Sequence, residues 1–449
     1  MYLGILALLG CSRGLAQTAP SDATQPTAKK PAPTFRAAGI QGNIAPSGYS
    51  GGAREEDARQ VASLVEGLQA ANFAAELPDA AKLGCDRQAE LLHAALAQPG
   101  SAKANLRLGL FYLKHDDPKL AVTSLSVARS LAPGDAAVAR YLAVAEMEVG
   151  DYAAAGRLAL RLLDANRLDE DRDDAAAHRI EGSVEAAAGH PEAALAEWKL
   201  AVALDPGANS VFSAGLSTMA SGLFADAERI LIAGTAAHLD SAKLWLARGM
   251  AESLKQDQTQ AIESLERSAK LDPGDLLAST LLAAQADTAE TSARILPVVQ
   301  ALAGAKPEEA VAHYDLALVL AKANPGATGA VAAKIESELR TAIGQQPGFA
   351  AAHFQLGVLH ENAGDSGAAT AEFAEAVRLE PEVAEWRYRL ARAYSRAGQA
   401  GPAEREMEAF KRLKVRRDAG GDVSAKLLDG LPADALGVGP ERCVAGPSR

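Results

Sequence analysis

Apolar positions along this chain do not alternate with polar ones. Neither a recurring Val/Ile/Thr alternation nor paired hairpin-turn residues can be found, and alanine is abundant, so the pattern predicts helices and no sheet. The helical pattern is unevenly distributed. An apolar run covers Leu3 to Gly10, and a stretch rich in Pro, Gly, Ser and Thr follows with almost no periodicity. Glu55 to Glu76 and Asp86 to Ala97 then read as helices, a long periodic region follows, and the pattern fades after Arg417. The organisation expected is a signal peptide at 1–16, a flexible tether at 17–53, capping helices at 54–101, a helical array at 102–417 and a loose tail at 418–449.

Self-similarity gives the array its unit. Leu131-Ala132-Pro133-Gly134-Asp135, Leu204-Asp205-Pro206-Gly207, Leu271-Asp272-Pro273-Gly274-Asp275 and Leu379-Glu380-Pro381 are the same helix ending, and their prolines lie 73, 67 and 108 residues apart. Those separations are about two, two and three units of 34 to 36 residues. From Ala102, Leu108-Gly109, Tyr112, Ala121, Leu125, Ala128 and Pro133 match W-x2-L-G-x2-Y, A-x3-F and P. From Ala350, His353, Leu356-Gly357, Gly364, Ala369, Phe373, Ala376 and Pro381 do the same, and from Ala242, Trp245, Gly249, Ala261, Leu265 and Pro273. On these residues the chain resembles the tetratricopeptide repeat family.

The small residue at the eighth position of each repeat reads Gly109, Ala143, Gly182, Gly215, Gly249, Ala283, Ala317, Gly357 and Ala391, which gives nine repeats in register. At the twentieth position stand Ala121, Ala155, Ala194, Ala227, Ala261, Ala293, Ile335, Ala369 and Ala403, if the turn of the sixth repeat is two residues shorter and that of the seventh six longer. Small residues at both sites let the two helices of a repeat approach closely.

The resemblance implies an all-α, right-handed α-α superhelix of about nine helix-turn-helix repeats, whose concave face is lined by the first helix of each repeat. The positions that line it in the family give Leu106 and Leu110; Arg140, Val144 and Met147; Phe212, Leu216 and Met219; Leu246, Met250 and Leu254; Tyr314 and Leu318; and Phe354 and Val358. A mostly apolar groove of this kind suits a helix or an extended segment with bulky anchors. The Lys and Asn pair by which family members clamp a peptide carboxylate is missing from every repeat. His178, His313 and His353 fall at the fourth position, where the family commonly has Trp and this chain has Trp245, so they are assigned to packing and no metal site is inferred from them.

Charge modifies the picture at one end. The chain carries a net −12, which argues against nucleic acid as a partner. Between Glu385 and Arg417, however, ten basic residues face four acidic ones, and Tyr388, Arg392 and Arg396 recur every four residues on one helical face. This basic end is a second candidate contact surface, for an acidic peptide or anionic headgroups.

Three chemical motifs fail on context. Asp169 to Asp174 begins like a calcium loop, but Asp174 stands where Gly is needed and Ile180 where Glu is needed. Gly48-Tyr49-Ser50-Gly51-Gly52 spells a hydrolase elbow inside the tether, without the strand and helix that the chemistry requires. Cys11, Cys85 and Cys443 have no metal-ligand spacing and imply no disulfide framework. No cofactor and no catalytic residue are expected.

Two addresses fit the amino terminus. Gly14-Leu15-Ala16 offers a signal-peptidase site, and Leu8-Leu9-Gly10-Cys11 resembles a lipobox that would place a lipid on Cys11. Either makes the chain an exported protein, periplasmic, associated with the outer membrane or secreted, that reaches a membrane only through such an anchor. The function expected is a non-catalytic scaffold for a protein partner at the bacterial cell envelope. A lipid-anchored assembly or secretion factor and a recruiting subunit of an associated enzyme are the alternatives.

Overall fold

The computed structural model describes Leu68 and residues 87–115, 117–167 and 175–418. Those residues form nineteen α-helices and no strand. The first, α1 (Gln88–Ala97), precedes nine consecutive helix pairs: α2 (Ala102–Lys114) with α3 (Pro118–Leu131), α4 (Ala136–Glu148) with α5 (Tyr152–Arg167), and α6 (Ala175–Ala187) with α7 (Pro191–Leu204). The middle pairs are α8 (Ala208–Ala220) with α9 (Phe224–Ala237), α10 (Ala242–Leu254) with α11 (Gln258–Leu271), and α12 (Leu276–Ala284) with α13 (Ala289–Ala305). The last are α14 (Ala310–Ala323) with α15 (Gly329–Gln345), α16 (Ala350–Asn362) with α17 (Ser366–Leu379), and α18 (Ala384–Arg396) with α19 (Ala400–Asp418).

Short local signals cut the chain into these pieces. In six of the nine repeats a residue with positive φ follows the first helix, and at Gly150-Asp151 and Gly364-Asp365 the next residue caps the second. The Asp151 and Asp365 side chains accept the N–H groups of Ala154 and Ala368 at 2.9 and 3.0 Å, which satisfies donors that the new helix leaves open. Between repeats, Asp205 and Asp272 of the Leu-Asp-Pro-Gly turns accept from Gly207 and Gly274 at 3.1 and 3.0 Å. Asp275 then caps α12 through the N–H of Leu277 at 3.0 Å. Proline after the turn's aspartate prevents the preceding helix from running on.

Close approach of the paired helices depends on the eighth position. A Cβ placed on Gly109, Gly215 or Gly249 would lie 2.5, 2.7 or 2.7 Å from Leu125, Leu231 or Leu265, and one on Gly182 or Gly357 would strike Trp198 or Phe373. The large partner always stands sixteen residues further on. In the second repeat that partner is Ala159, and there Ala143 fits at the eighth position, both fully buried. Volume is thus conserved across the contact, as close-packed interiors require.

Repeat six departs from the expected register. Its first helix, α12, stops after nine residues, and the second begins early, so Ala293 is exposed while Ile295, twelve residues after Ala283, is fully buried. Ile335 fills the same slot in repeat seven. The contact position therefore takes isoleucine in both, and the expected two-residue shortening of repeat six is not there, since Ile295 keeps the twelve-residue spacing of the other repeats.

Neighbouring repeats share continuous cores. The largest runs from Val211 to Val319 through repeats four to seven, a second from Ala310 to Ala393, and a third joins Leu91 and Ala95 of α1 to Leu108, Phe111 and Tyr112 of α2. Helix α1 therefore covers the first repeat. Leu68 lies elsewhere: it is helical, half-buried and packed on the Val211–Val319 core.

Candidate partner groove

First helices of neighbouring repeats touch where α2 meets α4, α4 meets α6, α8 meets α10 and α12 meets α14. The residues expected to line the groove sit on these helices, and their exposure differs along the array. Phe212, Leu216 and Met219 of α8 and Leu246, Met250 and Leu254 of α10 are between 0 and 8% exposed and belong to the central core. Leu110 and Tyr314 are buried as well. Towards the ends, Leu106, Arg140, Val144, Met147, Leu318, Phe354 and Val358 are half-buried and retain surface that a partner could cover. Phe354 stacks on Trp386 with ring centroids 5.3 Å apart, which fixes the plane it presents.

A buried polar pair lies where repeats six and seven meet. Thr280, at a groove position of α12, donates to Asp315 Oδ2 at 3.0 Å, and both are almost fully buried. Burial pushes the Asp315 carboxyl up to about 7, and the hydroxyls of Thr280 and Ser279 only partly oppose the shift. Reading the sequence did not single out Asp315. The signal available was one carboxylate inside the apolar run of α14.

The fourth-position residues act as struts. His178, His313 and His353 place Nδ1 at 2.6, 2.5 and 2.7 Å from Glu197, Glu338 and Glu372 on the second helix of their own repeats. Trp245, His313, His353 and Arg387 each point a nitrogen at the carbonyl six residues earlier, on Leu239, Pro307, Pro347 and Pro381. Arg387 also donates to Glu406 at 2.6 Å. In repeats seven, eight and nine this one slot ties the first helix both to its own second helix and to the inter-repeat turn. At His353 both ring nitrogens face acceptors, and the hydrogen bond to Glu372 raises its pKa above the ordinary histidine value. The assignment of these histidines to structure follows from the partners they hold.

The arginines of α18 are engaged within the chain. Glu361 of α16 accepts from Arg389 at 3.1 Å and from Arg396, and Arg389 also pairs with Glu385. The Arg392 guanidinium lies 5.8 Å from the centre of the Tyr388 ring, which packs on Phe410. Tyr388 and Arg392 are half-buried and Arg396 is exposed. Cys11, Cys85, Cys443, the Gly48–Gly52 motif and the Asp169–Asp174 run lie outside the described residues. Among the described residues no helix is long and apolar enough to cross a membrane.

Comparison with known proteins agrees with the register. Tetratricopeptide repeat family models match residues 212–275 and 350–383. No curated protein sequence matches the chain. Among solved structures, the Cut9–Hcn1 hetero-tetramer is 11% identical, covers 77% of this chain and 98% of its own, and has a TM-score of 0.38. The C-terminal part of a TPR repeat-containing protein from Cytophaga hutchinsonii is 14% identical over 64% of this chain and 99% of its own, with a TM-score of 0.41. MamA from Desulfovibrio magneticus RS-1 is 21% identical over 39% of this chain and 95% of its own, with a TM-score of 0.33. The all-α fold, the nine helix pairs and the family-model matches make this chain a tetratricopeptide repeat protein.

Proposed function

We propose that this protein is a non-catalytic scaffold that holds a partner protein against the face formed by its first helices, and that it works outside the cytoplasm. The observation that carries the proposal is the apolar lining at matching positions of successive repeats, with Leu318, Phe354 and Val358 left half-buried on the first helices of consecutive repeats. Side chains of this kind, repeated at the spacing of neighbouring helices, suit the apolar face of an amphipathic helix. Export rests on the apolar run at Leu3–Gly10 and the small residues before Gln17, with lipidation of Cys11 as its alternative.

Cross-linking capture with the full-length chain tests the scaffold. A Leu318→Glu, Val358→Glu variant, chosen because both side chains are only half-buried, should lose a partner that wild type retains, while circular dichroism stays unchanged. Retention of the same partner by both would move the contact to the basic end, where an Arg392→Glu, Arg396→Glu variant is the next comparison. Retention of no protein by wild type would remove the scaffold reading.

A further inference from the structure

The central part of the groove is closed, and one residue from outside the array packs on the core to which its residues belong. All six groove residues of α8 and α10 are at most 8% exposed, while those at the same positions in repeats one, two, seven and eight include half-buried ones. Leu68 is helical, half-buried and packed on the core that contains all six. Its sequence neighbours carry the matching pattern: Val61, Leu64, Val65, Leu68, Ala71 and Ala75 fall at helical spacing, with Ser63, Glu66, Gln69 and Asn72 between them. The connection is long enough. Eighteen residues separate Leu68 from Arg87 and can span about 60 Å, whereas the three helix-to-helix steps from α2 to α8 amount to roughly 30 Å.

We infer that the apolar face of repeats four to seven docks this chain's own amphipathic segment around Leu68, so that a partner for that part of the groove must be an amphipathic helix that displaces it. The inference rests on the scaffold reading for its meaning, but the contact can be tested without any partner. A Leu68→Glu substitution in the full chain puts a charge on the docked side. Hydrogen exchange in peptides from the first helices α8, α10, α12 and α14 is then expected to rise roughly tenfold in at least one, with α16 and α18 unchanged. A fluorescent synthetic peptide of residues 54–77 is expected to bind the Leu68→Glu chain and to be excluded by wild type.

If exchange stays the same and the peptide binds neither protein, the repeats close this face by themselves and the inference falls. If Leu68→Glu loses helix content, Leu68→Ala is read instead, with a smaller shift in the same direction expected and no shift overturning the inference. A wild-type mass of two chains that drops to one in the variant would make a second copy the occupant, which also overturns the intramolecular contact. Failure in any of these forms leaves capture at Leu318 and Val358 unaffected, whereas failure of that capture leaves the Leu68 contact standing.

Discussion

Asp315 weakens the fold at neutral pH. An unfolded chain ionises this carboxyl near pH 3.9, while in the folded protein burial holds its pKa at about 7. Between those values folding retains a proton that the unfolded chain has released, so stability falls as pH rises from about 4 to about 7 and stays low above that. Asp315→Asn removes the titration and keeps an acceptor for Thr280. The variant should match wild type in urea denaturation at pH 4 and exceed it by about 2–4 kcal/mol at pH 8; equal stability at pH 8 would show that water reaches the site. Gln256 is a second local misfit. It has φ of 63°, while Gly150, Gly189, Gly222, Gly364 and Gly398 occupy the equivalent turn position of other repeats with φ between 72 and 85°. A side chain is disfavoured in that region, so Gln256→Gly should raise stability by about 0.5–1 kcal/mol, read as a higher urea midpoint at constant slope. An unchanged or lower midpoint would mean that the turn carries no strain.

At the scale of helices, the eighth position separates packing from propensity. Alanine is a better helix former than glycine by about 1 kcal/mol, yet a Cβ on Gly215 would sit 2.7 Å from fully buried Leu231. Gly215→Ala should therefore destabilise by about 1–3 kcal/mol, whereas Gly304→Ala, in α13 with open space around it, should be neutral or stabilising by up to about 1 kcal/mol. Thermal melts of the two variants settle the sign, and a stabilised Gly215→Ala would mean that α8 and α9 can move apart at little cost. Because this contact recurs with fixed geometry, the pairing of helices was legible in the sequence down to single positions. Its failure in repeat six is equally physical. Ala289 and Ala293 offered a small residue in more than one frame, and nothing before the packing was known showed that Ile295 would be the buried one. The histidine struts were half legible: the shared fourth position was plain, but the glutamates lie nineteen or twenty-five residues away, with nothing local to mark them.

For the whole molecule, charge counted along the chain did not show that Glu361 reaches across from the preceding repeat to take Arg389 and Arg396. Groove positions could be named from the register, but their accessibility could not, since it depends on what lies over them. The amphipathic stripe through Leu68 shows that the segment has an apolar side and not which surface meets it. Almost every other contact in the array joins a repeat to itself or to its neighbour, the quasi-linear arrangement in which each unit can settle once the previous one has. Among the described residues Leu68 is the exception, since Phe212, the first aromatic of the core it packs on, comes 144 residues later in the sequence. At roughly 5–20 residues per second of synthesis, that interval is on the order of 7–30 s, during which Leu68 has left the ribosome and its counterpart does not yet exist. The array can assemble in the order it is made, but this contact can only close afterwards, which makes it a record that the central repeats have been made.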